Sequence, residues 1–149
     1  MMNNEFFECR IKYEKTMENG LMKKVIEPYL VDALSFAEAE RRICEEIKPF
    51  IRGTFEVADI KKAKFAELID SPKQEDDRWY KCKVVFIIID EKSCKEKKAA
   101  QIILVKAGDI KTALNNLESG LQSSVDYVIA AINETPIIDI FPYKPSENS

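Results

Sequence analysis

The sequence predicts an α+β fold, internally duplicated as ββαβ-ββαβ, with six main strands, largely antiparallel, and two helices packed on one face. Three observations carry this expectation. A strand runs into a capped helix at residues 29–42, and the chain does the same again at 103–116. Sliding one half over the other at a single offset pairs Leu30 with Leu104, Val31 with Val105, Ala39 with Ala113 and Ile43 with Leu117. The flanking strands recur in the same order, residues 6–13 over 79–86, and Phe55, Val57 and Ile60 over Tyr127, Ile129 and Ile132. Segments that repeat in order at nearly one spacing mark an internal duplication.

The predicted organisation is a single compact domain of two repeats. The first unit covers residues 5–69, a charged linker 70–78, the second unit 79–143 and a frayed tail 144–149. A chain of 149 residues, 46% hydrophobic and 33% charged, is long enough for one sizeable core and short for two large independent ones.

In chain order, residues 5–14 alternate, with Phe7, Cys9, Ile11 and Tyr13 on one side and Glu8, Arg10 and Lys12 on the other, the pattern of a half-buried strand. Asn19-Gly20 predicts a tight hairpin with both central residues at positive φ. The return strand, 21–33, contains Pro28, whose missing N–H points to an edge or a bulge. Ser35 and Glu38 form a capping box for a helix over 36–48, whose stripe is Phe36, Ala39, Ile43 and Ile47. Pro49 ends it. Residues 54–69 read as one long strand, bulged near Asp59 where the alternation slips.

In the second repeat, Val84 to Ile89 is apolar on both faces, which fits a central covered strand or an interface. A basic hairpin tip follows, then a return strand 99–107, a helix over 110–121 capped by Asp109, and a strand 127–141. The predicted core contains Cys9, Ile11, Leu30, Val31, Ala39 and Ile43, with Cys82, Val84, Leu104, Val105, Ala113 and Leu117 at the matching places. Each short helix can cover only one face of its sheet, so an open sheet face is expected for a partner.

The segments Phe7-Glu-Cys, Tyr13-Glu-Lys-Thr, Glu18-Asn-Gly, Glu27-Pro-Tyr-Leu-Val-Asp-Ala-Leu-Ser-Phe, Asp59-Ile-Lys and Glu134-Thr-Pro-Ile resemble a family of short bacterial proteins carried as a domain of unknown function, from Bacteroides-type gut bacteria and their mobile elements. The resemblance runs from Phe6 to Tyr143. It implies no activity, ligand or catalytic residue.

The residue types exclude much chemistry. There is no histidine, the commonest general base and metal ligand. Four glycines, at 20, 53, 108 and 120, do not make a phosphate-cradling loop. Cys9, Cys44, Cys82 and Cys94 lie far apart with no Cys-x-x-Cys spacing. No catalytic residue, metal ligand or cofactor is therefore expected, and the chain reads as non-enzymatic. With no export signal and no apolar run of membrane-spanning length, the expected location is the cytoplasm, with the cysteines as thiols. Asp76-Asp77 reads as solvated linker charge. Arg41-Arg42 reads as solubilising charge with Glu38 and Glu45 one turn away.

One constellation points to binding. Phe6, Arg10 and Lys12 alternate with the core residues of the first strand, and Trp79, Lys81 and Lys83 stand on the matching face of the second copy. Aromatic and basic residues on a sheet face form the platform of single-stranded nucleic-acid binders, where rings stack bases and cations track phosphates. The net charge of −3 gives no global attraction to nucleic acid, and Glu8 interrupts the patch. The leading expectation is a protein-interaction module or homo-oligomer scaffold, with an unidentified protein or a second copy as partner and no membrane. Single-stranded nucleic acid is the alternative partner.

Overall fold

Residues 5–142 are described by a computed structural model of the chain. They form two helices and eight strands in two four-stranded, mostly antiparallel sheets. The first unit takes residues 5–63 and 136–142, and the second takes Lys64–Thr135. The chain therefore passes from one unit to the other twice. The tail at 144–149 lies outside the described residues.

In the first unit, β1 (Glu5–Thr16) and β2 (Met22–Ala33) form a hairpin, β3 (Phe55–Ala63) pairs on the other side of β1, and α1 (Phe36–Ile47) crosses one face. The pairing puts Phe7, Cys9, Ile11, Val31 and Ala33 under Ala39, Ile43 and Ile47 of α1, all buried. The expected slip in β3 is present: Arg10 pairs with Asp59 and Ile11 with Val57, leaving Ala58 as the extra residue. Such a bulge re-aims the strand while keeping its apolar side chains on the core face.

The second unit follows the same order. β5 (Arg78–Ile89) lies between β6 (Glu96–Ala107) and β7 (Asp126–Glu134), and α2 (Ile110–Gly120) packs Ala113 and Leu117 onto Cys82, Val84, Ile103 and Val105. The apolar strand is thus central, paired on both edges. Its bulge leaves Ala130 extra, between the pairs Lys83–Ala131 and Val84–Ile129. All twelve predicted core residues are buried, although Leu30 and Leu104 project from the sheet face opposite the helix.

Three expectations are corrected. The long strand 54–69 is two strands: β3 stops at Ala63, and β4 (Glu67–Ile69) joins the second sheet, parallel to Ile103–Val105 of β6. Likewise 127–141 divides into β7 and β8 (Asp139–Phe141), which pairs in parallel with Tyr29–Val31 of β2. Eight strands replace six, in two sheets, each with its own helix. Pro28 sits where β2 changes from a free edge to one covered by β8, and its carbonyl accepts from the Ile138 N–H at 2.9 Å.

The first hairpin also turns differently. The Gly20 N–H donates to the Met17 carbonyl, the Met17 N–H to the Leu21 carbonyl, and Gly20 is at φ +82°. This is a three-residue loop with glycine alone in the left-handed region. Asn19 does not have positive φ; its side-chain oxygen accepts from the Leu21 N–H at 3.0 Å.

Both caps form. Ser35 Oγ accepts from the Glu38 N–H at 3.1 Å, and Asp109 Oδ1 accepts from the Thr112 N–H at 2.7 Å. The Glu38 carboxylate reaches the N–H of Leu34, one residue short of the cap itself. Replacing Ser35 or Asp109 by alanine is expected to cost about 0.5 to 2 kcal/mol each, the usual loss for a side-chain cap. Unchanged urea midpoints in both variants would show that these caps do not hold the helix starts.

No helix among the described residues is long and apolar enough to cross a membrane.

Candidate binding face

Strand parity decides which side chains are available. In β1, odd-numbered residues from Phe7 to Tyr13 face α1, so Phe6, Glu8, Arg10 and Lys12 project from the helix-free face. In β5, Tyr80, Cys82, Val84 and Phe86 face α2, so Trp79, Lys81, Lys83 and Val85 project from the helix-free face. Each predicted triplet thus shares one strand face in its own unit.

The surroundings of the triplets differ. Phe6 is half-buried, while Arg10 and Lys12 are exposed. The Arg10 guanidinium lies 3.3 Å from Glu8, whose carboxylate also lies 3.7 Å from Lys61 Nζ. Glu8 therefore partly neutralises the first patch from within. Trp79 is only 2% exposed, so its ring does not stand open for a base to stack on. The Lys106 ammonium lies 5.8 Å from the ring centroid, within cation–π range. Lys81 and Lys83 are exposed, and neither forms an ion pair among the described residues.

Burial also fixes the chemistry of the remaining groups. The Cys9 thiol is pushed up to about 12 by burial, reinforced by nearby Cys44, and burial pushes Cys82 up to about 11. Both stay protonated and act as small apolar side chains. Cys94 is exposed in the second hairpin loop, at φ +56°. No group of three His, Cys, Asp or Glu side chains among the described residues is placed to hold a metal.

A polar cluster occupies the helix side of the first sheet. Glu27 Oε1 accepts from the Tyr13 hydroxyl at 2.7 Å and from the Tyr29 hydroxyl at 3.3 Å, and Lys15 Nζ lies 3.7 Å from Oε2. Partial burial and the Glu27 carboxylate raise the Tyr13 phenol from 10.0 to about 12, and Tyr29 is pushed up as well, chiefly by burial. The folded chain keeps the Tyr13 proton where the unfolded chain releases it. Its contribution to stability is intact below pH 10 and is lost as pH rises through 12. Tyr13→Phe should make the decline in stability across that window shallower in urea melts at stepped pH. An unchanged decline would count against the Tyr13–Glu27 bond.

Near this cluster an open concavity of about 490 Å³ is lined by Lys12, Lys24 and Arg52 together with Glu14 and Glu56. Its charges are mixed, which does not select a ligand of one sign.

Two residues read as surface charge have structural roles. Asp76, 3% exposed, accepts from Ser71 Oγ at 2.5 Å, the Gly108 N–H at 3.1 Å and Asn116 Nδ2 at 3.4 Å. It ties the segment before β5 to the junction of β6 and α2. Gly108 permits the close approach, since a Cβ there would lie 2.6 Å from the Glu75 carbonyl oxygen. Arg42 donates to the Asp32 carbonyl, and Asn116 donates to the Lys106 carbonyl at 2.9 Å. In each unit the side chain from the same helix position closes the end of the strand leading into that helix. The sequence signal was the matching of Arg42 with Asn116 under the repeat offset.

A family model described as a domain of unknown function (DUF4494) matches residues 5–143. The chain belongs to this family. No curated protein and no solved structure matches it. The DUF4494 match spans both units, and its description assigns no activity.

Proposed function

We propose that this DUF4494 chain is a non-enzymatic binding module that works through protein–protein contacts, either with a second copy or with another protein. The observation that carries this reading is the exposure of aliphatic side chains where the long hairpins outrun their helices. Leu21, Met22 and Ile26 are more than half exposed at the end of the first hairpin, and Ile89 is 67% exposed at the end of the second. Exposed apolar groups clustered on one element, rather than scattered singly, are what a protein interface covers.

The nucleic-acid reading has exposed cations at Arg10, Lys12, Lys81 and Lys83, but it lacks an exposed ring beside Lys81 and Lys83. Stacking supplies much of the affinity of sequence-tolerant single-strand binders, so protein is the better-supported partner. We also read the two units as descendants of one ββαβ ancestor, supported by their equal strand order, equivalent bulges and equivalent caps. Free thiols at all four cysteines support a cytoplasmic location. The quoted family segments support a bacterial source of the Bacteroides type.

Light scattering over a range of protein concentrations, beside titration of a labelled oligo-dT strand at low salt, tests the function. A concentration-dependent mass without strand binding is the expected result. A chain that stays monomeric and binds the strand with affinity falling as salt rises would overturn the reading.

A further inference from the structure

The helix-free faces of the two sheets can be compared row by row from their pairing. In the first sheet Glu8 of β1 lies between Lys61 and Leu30, Arg10 between Asp59 and Pro28, and Lys12 between Glu56 and Ile26. In these three rows every charge has an opposite charge beside it. The second sheet has lost this compensation. Lys81 lies between Asn133 and Leu104, Lys83 between Ala131 and Ile102, and the next row is Val128, Val85 and Ala100. Carboxylates return only at the hairpin end, at Asp126 and Glu96.

The result is a surface with two ammonium groups that form no ion pair among the described residues, beside an aliphatic strip. Val128 is 52% exposed, and Val85 and Ile87 are half-buried. Single exposed lysines or valines are ordinary on a strand face. Here they are contiguous, and the equivalent face of the first unit is balanced at the same positions. An occupant must bring negative charge to Lys81 and Lys83 and apolar groups to Val85 and Val128. Phosphate would satisfy only the first demand, because the exposed side chains along this strip are aliphatic and the only tryptophan on the face is buried.

We propose that the helix-free face of the second sheet docks an acidic protein segment bearing apolar side chains, with its carboxylates at Lys81 and Lys83 and its apolar groups over Val85 and Val128. This rests on the protein-interaction reading above and adds the surface and the chemistry of the partner. An apolar centre with a charged margin is the common anatomy of such contacts, and charge chooses the partner more than it sets the affinity.

The test is a titration of the full ¹⁵N-labelled chain with a short acidic amphipathic peptide built from glutamate, leucine and phenylalanine, followed by NMR. Amide shifts should concentrate in β5, β6 and β7, and affinity should weaken with salt. Lys81→Glu with Lys83→Glu should reduce affinity by roughly tenfold or more, the scale of reversing two interface charges. Val128→Asp should weaken it too, while Arg10→Glu with Lys12→Glu should leave it unchanged. No shifts, shifts elsewhere, or binding indifferent to charge reversal at Lys81 and Lys83 would overturn the proposal. Preference for oligo-dT or for phosphatidylglycerol vesicles would also overturn it. If peptide binding is indifferent to the double reversal while the wild-type chain keeps its concentration-dependent mass, the interaction reading stands while this surface falls.

Discussion

Ile43→Ala is expected to lower the stability of the chain by about 2 to 5 kcal/mol, the range for truncating a fully buried aliphatic side chain to alanine. Ile43 is 0% exposed and sits midway along the buried stripe of α1, with Ala39 and Ile47 on either side. Beneath it are strand residues of the same core, and small side chains such as Cys9, Ala33 and Ala39 leave few atoms able to collapse into a void. The cavity would then keep most of its volume, and the cost should fall in the upper half of that range. Glu45→Ala, on the exposed side of the same helix, should change stability by no more than about 0.5 kcal/mol. The urea midpoint should fall for the first variant at a similar denaturant slope. Equal midpoints for the two would mean that α1 is not held by this stripe.

Asp76→Ala should cost about 2 to 4 kcal/mol, because it removes a buried acceptor from three donors and leaves them without their partner. The donors come from three places, Ser71 in the preceding loop, Gly108 at the end of β6 and Asn116 in α2, so no single local rearrangement can restore all three bonds. Asp77 supplies the contrast. It lies next in sequence, is exposed, and among the described residues pairs only with Arg78, at 4.0 Å. Such an exposed pair contributes little, so Asp77→Ala should shift the midpoint hardly at all. A small effect at both positions would overturn the structural role assigned to Asp76.

These neighbours show where sequence reasoning stops. Two consecutive aspartates in a charged segment look identical in a sequence, and only the fold brings Gly108 and Asn116 to one of them. Local signals were legible because their physics is local: the caps at Ser35 and Asp109, the alternation of β1 and the slip near Asp59 each involve residues a few positions apart. The breaks after Ala63 and Thr135 were less legible. Residues 64–66 contain no glycine or proline, and β4 and β8 are three-residue strands whose partners lie far away in the chain. Pro136 stands at the second break, but a proline limits a strand without saying that the chain passes there to another sheet.

The candidate face was legible in part for the same reason. Period-two alternation correctly sent Trp79, Lys81 and Lys83 to the side away from the helix. Alternation says nothing about whether that side is open at each position, and the Trp79 ring is buried where Lys81, two residues on, is exposed. Arg42 is a similar case. Helix spacing offered it carboxylates one turn away, whereas its guanidinium turns to the Asp32 carbonyl ten residues back.

The placement of β8 sets the order in which the molecule can be completed as it is made. Every strand of the second sheet has been synthesised by Glu134, while the first sheet lacks its fourth strand until Phe141 has emerged. The unit begun first is therefore the one finished last. Until then the β2 backbone at Tyr29–Val31 lacks its native β8 partner, so a nascent chain stalled before Asp139 would carry an incomplete first sheet and a second with all its strands.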